Sequence, residues 1–122
     1  MTKLAFNDGT QVKEDLDLTI IIVNWNTRDM VLECLRSVFE QTQGLAYEVI
    51  LVDNASSDGS AEAIKSEFPQ VQLVESQENL GFARANNLGM RMAKGRYVLL
   101  LNPDTEIMDA AIEKSIAFAD KQ

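Results

Sequence analysis

The sequence predicts an α/β protein, a three-layer αβα arrangement around a mainly parallel sheet, and three apolar runs predict it. Thr19-Ile20-Ile21-Ile22-Val23, Val49-Ile50-Leu51-Val52 and Tyr97-Val98-Leu99-Leu100-Leu101 set apolar residues side by side without alternation, as strands covered on both faces do. Each run stops in a polar turn: Asn24-Trp25-Asn26, Asp53-Asn54 and Asn102-Pro103-Asp104. Ligands of such sheets sit at the carboxyl edge, so three strands aim polar groups at one place.

The remaining elements fall between these runs. Asn7-Asp8-Gly9 lies between Leu4/Phe6 and Val12 and fits a short hairpin, because Asp-Gly tolerates the positive φ of a tight turn. Residues 1–17 are therefore read as an N-terminal arm and 18–122 as one domain. After the first apolar run, Met30, Val31, Cys34, Leu35, Val38 and Phe39 recur at helical spacing, with Asn26 or Thr27 as cap. The turn cluster Ala55 to Ser60 opens a second helix, with Ala61, Ile64 and Phe68 inward and Pro69 closing it. Val71 to Glu75 is a short strand. Gly81 to Ala93 is a helix rich in small residues, and Gly95 suits its stop. Asp109 to Asp120 forms the last helix, with Ile112, Ile116 and Ala119 on one face. Strand and helix thus alternate four times, the pattern of a parallel sheet.

Composition narrows the function. A chain of 122 residues, 46% hydrophobic and 25% charged, is one ordinary globular domain. Eleven basic against nineteen acidic residues leave a net charge of −8, and with no basic cluster this argues against nucleic acid as a partner. An anionic small ligand stays open if a metal cancels its charge. Cys34 is the only cysteine, which removes an intrachain disulfide and a cysteine zinc site and fits a reducing compartment. There is no histidine, which removes the usual serine triad and imidazole catalysis. No run approaches membrane-spanning length and the first nine residues lack an export core, so a cytoplasmic chain without a transmembrane segment is expected.

Four blocks in order carry a resemblance: Thr19 to Asn26; Val52-Asp53-Asn54-Ala55-Ser56-Ser57-Asp58-Gly59-Ser60; Asn79-Leu80-Gly81-Phe82-Ala83-Arg84-Ala85-Asn86-Asn87; and Leu101-Asn102-Pro103-Asp104. Together they resemble the inverting family 2 glycosyltransferases of the GT-A fold. The Val-Asn-Trp-Asn and Asn-Pro-Asp variants look most like the rhamnosyltransferase-type branch. The resemblance covers residues 18 to 120 and the nucleotide-binding half of a family domain. It implies a UDP- or dTDP-sugar donor, a Mg²⁺ or Mn²⁺ cofactor, and a general base beyond the chain end, with no catalytic residue of its own here.

The residues themselves support two readings each. Asp104 is a hard oxygen ligand suited to Mg²⁺ or Mn²⁺, or part of a turn. The family pattern is Asp-X-Asp, and Asn102 stands in its first place, so Asn102 is assigned to ribose, phosphate or turn contacts. Asp53 fits an acceptor for the imide N–H of uracil or thymine, a contact the resemblance implies, or an Asx-turn with Asn54 and Ser56. Asn24 and Asn26 flank Trp25 where family members hold base and ribose; Trp25 alone reads as core. Arg84 falls near the amino end of the third helix, where anions are favoured, or forms a surface ion pair. Asp58 reads as a turn and cap for the next helix.

Transfer of a sugar to an acceptor hydroxyl with inversion, in polysaccharide or cell-envelope glycan synthesis, is the expected function. The alternative is a nucleotide-binding, self-associating module without catalysis. A receiver domain lacks its acidic pair, replaced by Asn24-Trp25-Asn26, and a dinucleotide oxidoreductase lacks Gly-x-Gly-x-x-Gly after the first strand. A homodimer is expected, through an open edge at Tyr97 to Leu101 or the Ile112/Ile116 face.

Overall fold

The structure, a computed structural model, describes residues 2–6 and 16–121. Five strands form one sheet in the order β1-β5-β2-β3-β4: β1 (Thr2–Phe6), β2 (Leu18–Asn24), β3 (Tyr47–Asp53), β4 (Gln72–Glu75) and β5 (Tyr97–Leu101). The helices are α1 (Arg28–Gln41), α2 (Ser60–Glu67), α3 (Phe82–Met92) and α4 (Ala111–Asp120). Strands β2, β3, β4 and β5 run parallel, and β1 lies antiparallel on β5. The αβα architecture and mainly parallel sheet are those the sequence predicts.

Helices cover the two faces unequally. Leu18, Ile20, Ile22, Val49, Leu51, Leu99 and Leu101 pack with α1, α2 and α4 through Val31, Leu35, Val38, Ile64, Ile112 and Ile116. The alternate residues Ile21, Val23, Val52 and Val98 meet α3 and the turn after it through Ala85, Leu88 and Ala93. Every side chain of β2 is therefore buried, which accounts for its unbroken apolar run. The steps β2 to β3 to β4 move one way across the sheet, and β4 to β5 returns on the opposite face, as right-handed crossovers require.

Two glycines set how closely α3 and its exit approach β2. A Cβ at Gly89 would lie 2.7 Å from Ile21 Cγ2, and one at Gly95 would lie 2.4 Å from the backbone of Leu18 and Thr19. Gly95 thus does more than end a helix. Its N–H donates to Thr19 Oγ1 at 2.8 Å, and that hydroxyl donates to Glu48 Oε2 at 2.6 Å, which satisfies the one hydroxyl buried in β2. At the far edge Arg96 grips Asp120 through two contacts of 2.5 and 3.1 Å while Tyr97 donates to the same carboxylate at 3.0 Å, fastening α4 to β5.

The surfaces expected to hold a dimer and the α1 cap are corrected, and the expected hairpin turn falls outside the described residues. Leu4 and Phe6 belong to β1, which pairs with β5; the Asn7-Asp8-Gly9 turn and Val12 lie outside the described residues. The edge of β5 is not open, because β1 covers it from Thr2 opposite Leu101 to Phe6 opposite Tyr97. Ile112 and Ile116 are each 4% exposed and packed in the core. Both surfaces expected to hold a dimer are therefore satisfied within the chain. Finally, Thr27 occupies the cap position of α1 without bonding the helix; its hydroxyl donates to Asn24 Oδ1 at 2.6 Å instead.

Candidate functional site at the carboxyl edge

The parallel register sets Asn24 of β2 level with Asp53 of β3, and the two side chains join. Asn24 Nδ2 donates to Asp53 Oδ1 at 2.9 Å. Ser56 closes the turn after β3 by donating its hydroxyl to Asp53 Oδ1 at 2.7 Å and its N–H to Asp53 Oδ2 at 3.0 Å. A carboxylate offers about four acceptor positions. Three are filled here, and the vacant one is on Oδ2.

Further bonds tie the two loops together. Asn26, in left-handed conformation at φ 52°, donates its N–H to Ser56 Oγ at 2.9 Å and accepts from Ser57 N at 2.8 Å. Asp58 accepts from the first N–H of α1, at Arg28 (2.9 Å), and from the N–H of Ser60 at the start of α2 (3.0 Å), with a short contact from the Ser60 hydroxyl. Burial would raise the Asp58 carboxyl, but the Ser60 hydroxyl and the two N–H groups outweigh it and hold it below the usual carboxylate range. Asn54 anchors the third loop, accepting from Leu80 N at 2.8 Å and donating to Gly81 O at 3.3 Å.

Beside this network lie two open clefts. One, of about 390 Å³, is lined by Asn26, Thr27, Arg28, Asp29, Met30 and Asp58. The other, of about 300 Å³, is lined by Asp29, Met30, Glu33, Pro103, Asp104, Thr105 and Glu106. They share Asp29 and Met30, so Asp104 opens next to the loop that carries Asn26. Beneath the turn after β5, Cys34 Sγ rests 3.8 Å from Asn102 O. Burial first, and the Asp104 charge second, push its thiol up to about 12. That thiol is a core atom, not a nucleophile.

The structure thus gathers Asn24, Asn26 and Asp53, and sets Asp104 at the adjoining cleft, with Asn102 directly after β5 and outside its lining. Arg84 is not brought to them. It lines a separate concavity of about 200 Å³ with Leu80, Asn87, Leu88 and Arg91. Ser56 and Asn54 are the residues to which sequence reasoning gave too little weight; the Asp-x-x-Ser spacing of an Asx-type turn was the available signal for Ser56.

Among the described residues no three acidic, cysteine or histidine side chains converge as a ready metal cage. The donor set still fits one kind of ion. Asp104 is an exposed hard carboxylate beside an open cleft, and Mg²⁺ typically takes one or two carboxylates, completing its shell with water and substrate phosphates.

A mainly parallel sheet with paired polar strand ends and open clefts at one edge defines a ligand-binding α/β domain. The chain belongs to glycosyl transferase family 2, whose model matches residues 19–122. It is 28% identical over 105 residues to the succinoglycan biosynthesis protein ExoO of Rhizobium meliloti, covering 85% of this chain and 30% of ExoO. The fold matches S. aureus TarS 1-349 with a TM-score of 0.76 at 22% identity, covering 87% of this chain and 33% of that one; TarS has been solved with UDP and with UDP-GlcNAc. The mannosyltransferase PcManGT of Pyrobaculum calidifontis, solved with GDP-Man and Mn²⁺, matches with a TM-score of 0.71 at 27% identity, covering 80% of this chain and 30% of that one. The chain spans about a third of the length of these proteins. No helix among the described residues is long and apolar enough to cross a membrane.

Proposed function

We propose that this chain supplies the donor-binding part of a glycosyltransferase that moves a sugar from UDP or dTDP to an acceptor hydroxyl with inversion, in polysaccharide or cell-envelope glycan synthesis. One observation carries the reading: Asp53 is held by three hydrogen bonds at a strand end with one acceptor position vacant. An imide N–H fills that position in uracil or thymine, whereas cytosine presents a lone pair there and is rejected. Asn24 fixes the carboxylate from the side, and Asn26 lines the cleft in which the ribose and diphosphate lie. The open position of Asp104 suits it to hold Mg²⁺ or Mn²⁺, whose chemistry there is to neutralise the departing diphosphate. Asn102 serves the turn that presents Asp104. Arg84, exposed on α3 beside Leu80 and Arg91, is the cation of the third block that an anionic group would meet at that concavity. Succinoglycan synthesis by ExoO supports the glycan assignment. The buried, unpaired Cys34 supports a cytoplasmic setting.

Neither Glu106 nor Asp109 fits the family's general base, since both directly follow the metal-binding turn, so the chain alone binds nucleotide without transferring sugar. Titration calorimetry with UDP, dTDP, CDP and GDP, with and without Mn²⁺, tests the assignment. Tighter binding of UDP and dTDP than of CDP is expected, and equal binding of all four overturns it. Measurable transfer by the purified chain overturns the second statement.

A further inference from the structure

We infer that Ser56 is a positioning residue that sets base specificity through Asp53. The inference rests on the uracil or thymine reading of Asp53 and deepens it.

The Ser56 hydroxyl has one donor and two acceptor positions, and all three are used. It donates to Asp53 Oδ1 at 2.7 Å, accepts from Asn26 N at 2.9 Å and accepts from Asn24 Nδ2 at 3.3 Å. No other side chain in this network touches Asn24, Asn26 and Asp53 together. The donation to Oδ1 has a consequence for the other oxygen. With Oδ1 saturated by Ser56 and Asn24, the remaining acceptor position of the carboxylate is on Oδ2, and its direction is fixed by the Ser56 N–H that also binds Oδ2 at 3.0 Å. Ser56 therefore grips both oxygens from one residue and leaves one lone pair for a ligand donor.

The surrounding backbone keeps Ser56 in place. Ala55, just before it, is left-handed at φ 64°, and Asn26 across the loop is left-handed at φ 52°. Such conformations are costly for non-glycine residues and persist where neighbouring bonds enforce them. Here the enforcing bonds are Asn26 N to Ser56 Oγ and Ser57 N to Asn26 Oδ1. Removing the Ser56 hydroxyl frees Oδ1 to seek another donor, and the carboxylate turns about its side-chain bonds. An imide N–H and a cytosine N3 then differ less in what they meet.

The test compares UDP and CDP binding by the wild-type chain, Ser56→Ala, Ser56→Thr and Asp53→Asn, with far-UV circular dichroism confirming that each is folded. Ser56→Ala is expected to reduce the ratio of CDP to UDP dissociation constants about tenfold, the worth of one hydrogen bond to a charged group. Ser56→Thr, which keeps the hydroxyl, restores the ratio. A purely structural Ser56 would weaken both nucleotides alike and leave the ratio unchanged, which overturns the inference. If the wild type itself does not discriminate, or Asp53→Asn leaves discrimination intact, it is the base-reading role of Asp53 that fails. Should Ser56→Ala not fold, Ser56→Cys and Ser56→Thr carry the comparison, with loss of discrimination in the former and retention in the latter expected; equal ratios for the two overturn the inference.

Discussion

Asp58 fastens the starts of two helices with one carboxylate, so replacing it separates what each oxygen does. Oδ2 accepts the Arg28 N–H at the start of α1, and Oδ1 accepts the Ser60 N–H and hydroxyl at the start of α2. Removing a capping side chain typically costs about 0.5–2 kcal/mol per helix. Asp58→Ala loses both caps and is expected to cost about 2 kcal/mol, whereas Asp58→Asn keeps one acceptor oxygen and loses one cap, about 1 kcal/mol. For a domain of this size, about 1 kcal/mol shifts the melting temperature by about 4 °C. Thermal unfolding by circular dichroism should therefore rank wild type above Asn above Ala, in steps of about 4 °C. The pH dependence has a definite sign. The folded carboxyl lies below its ordinary value because hydrogen bonds from Ser60 and Arg28 outweigh burial. Its stabilisation is complete above the unfolded value of about 3.9 and is lost as pH falls through the lower folded value. The gap between wild type and Asp58→Asn should thus be full at neutral pH and close in acid. A wild type and Asp58→Ala that melt together at neutral pH, or a gap that widens in acid, refute the double cap.

Asp104→Ala is expected to remove the dependence of UDP binding on Mn²⁺, read by calorimetry with and without chelator; a metal requirement that survives the substitution refutes the assignment. Gly95→Ala places a Cβ 2.4 Å from the backbone of Leu18 and Thr19, which no side-chain shift relieves, and should destabilise the fold by about 3 kcal/mol or more. A melting temperature within a degree of wild type would show that the approach is not tight. Cys34, raised to about 12 by burial and by Asp104, should react with a thiol reagent at neutral pH only as fast as the chain opens, and labelling at the rate of a free thiol would contradict its burial.

What the sequence made legible was local. The unbroken apolar runs marked β2, β3 and β5 because full burial on both faces leaves no polar positions to alternate, and apolar spacing marked α1 through Val31, Leu35 and Val38. Strand β1 was missed as a partner of β5. Its five residues, Thr-Lys-Leu-Ala-Phe, carry little pattern of their own, and the contact joins Thr2 to Leu101 across nearly the whole chain. The Asp-Gly pair nearby pointed to a local hairpin, whose turn lies outside the described residues, and a distant antiparallel pairing leaves no trace in such a signal. The strand-edge surface expected to hold a dimer fell with it, since that expectation assumed that nothing covered β5.

The site divides along the same line. Asn24, Asn26, Asp53 and Asp104 were visible because each follows a buried run at the edge where ligands of a parallel sheet sit. The local Asp53–Ser56 turn was visible too, but the bonds that join Asn24 and Asn26 to the neighbouring loop were not, because those partners lie 29 to 32 residues away. Parallel register supplies the missing rule. Once β2 and β3 are adjacent and in phase, Asn24 and Asp53 must end level, and a residue three positions after Asp53 can turn back to meet both. The Asx-type spacing had already named Ser56 beside Asp53, and its bonds to Asn24 and Asn26 could have been derived at that point. The α1 cap could not. Asn26 and Thr27 were the local choices, and Thr27 was drawn away by the buried amide of Asn24, leaving Arg28 N to a carboxylate thirty residues on. A hydroxyl satisfies whichever buried acceptor lies closest, so its sequence position announces a cap only where no deeper polar group competes for it.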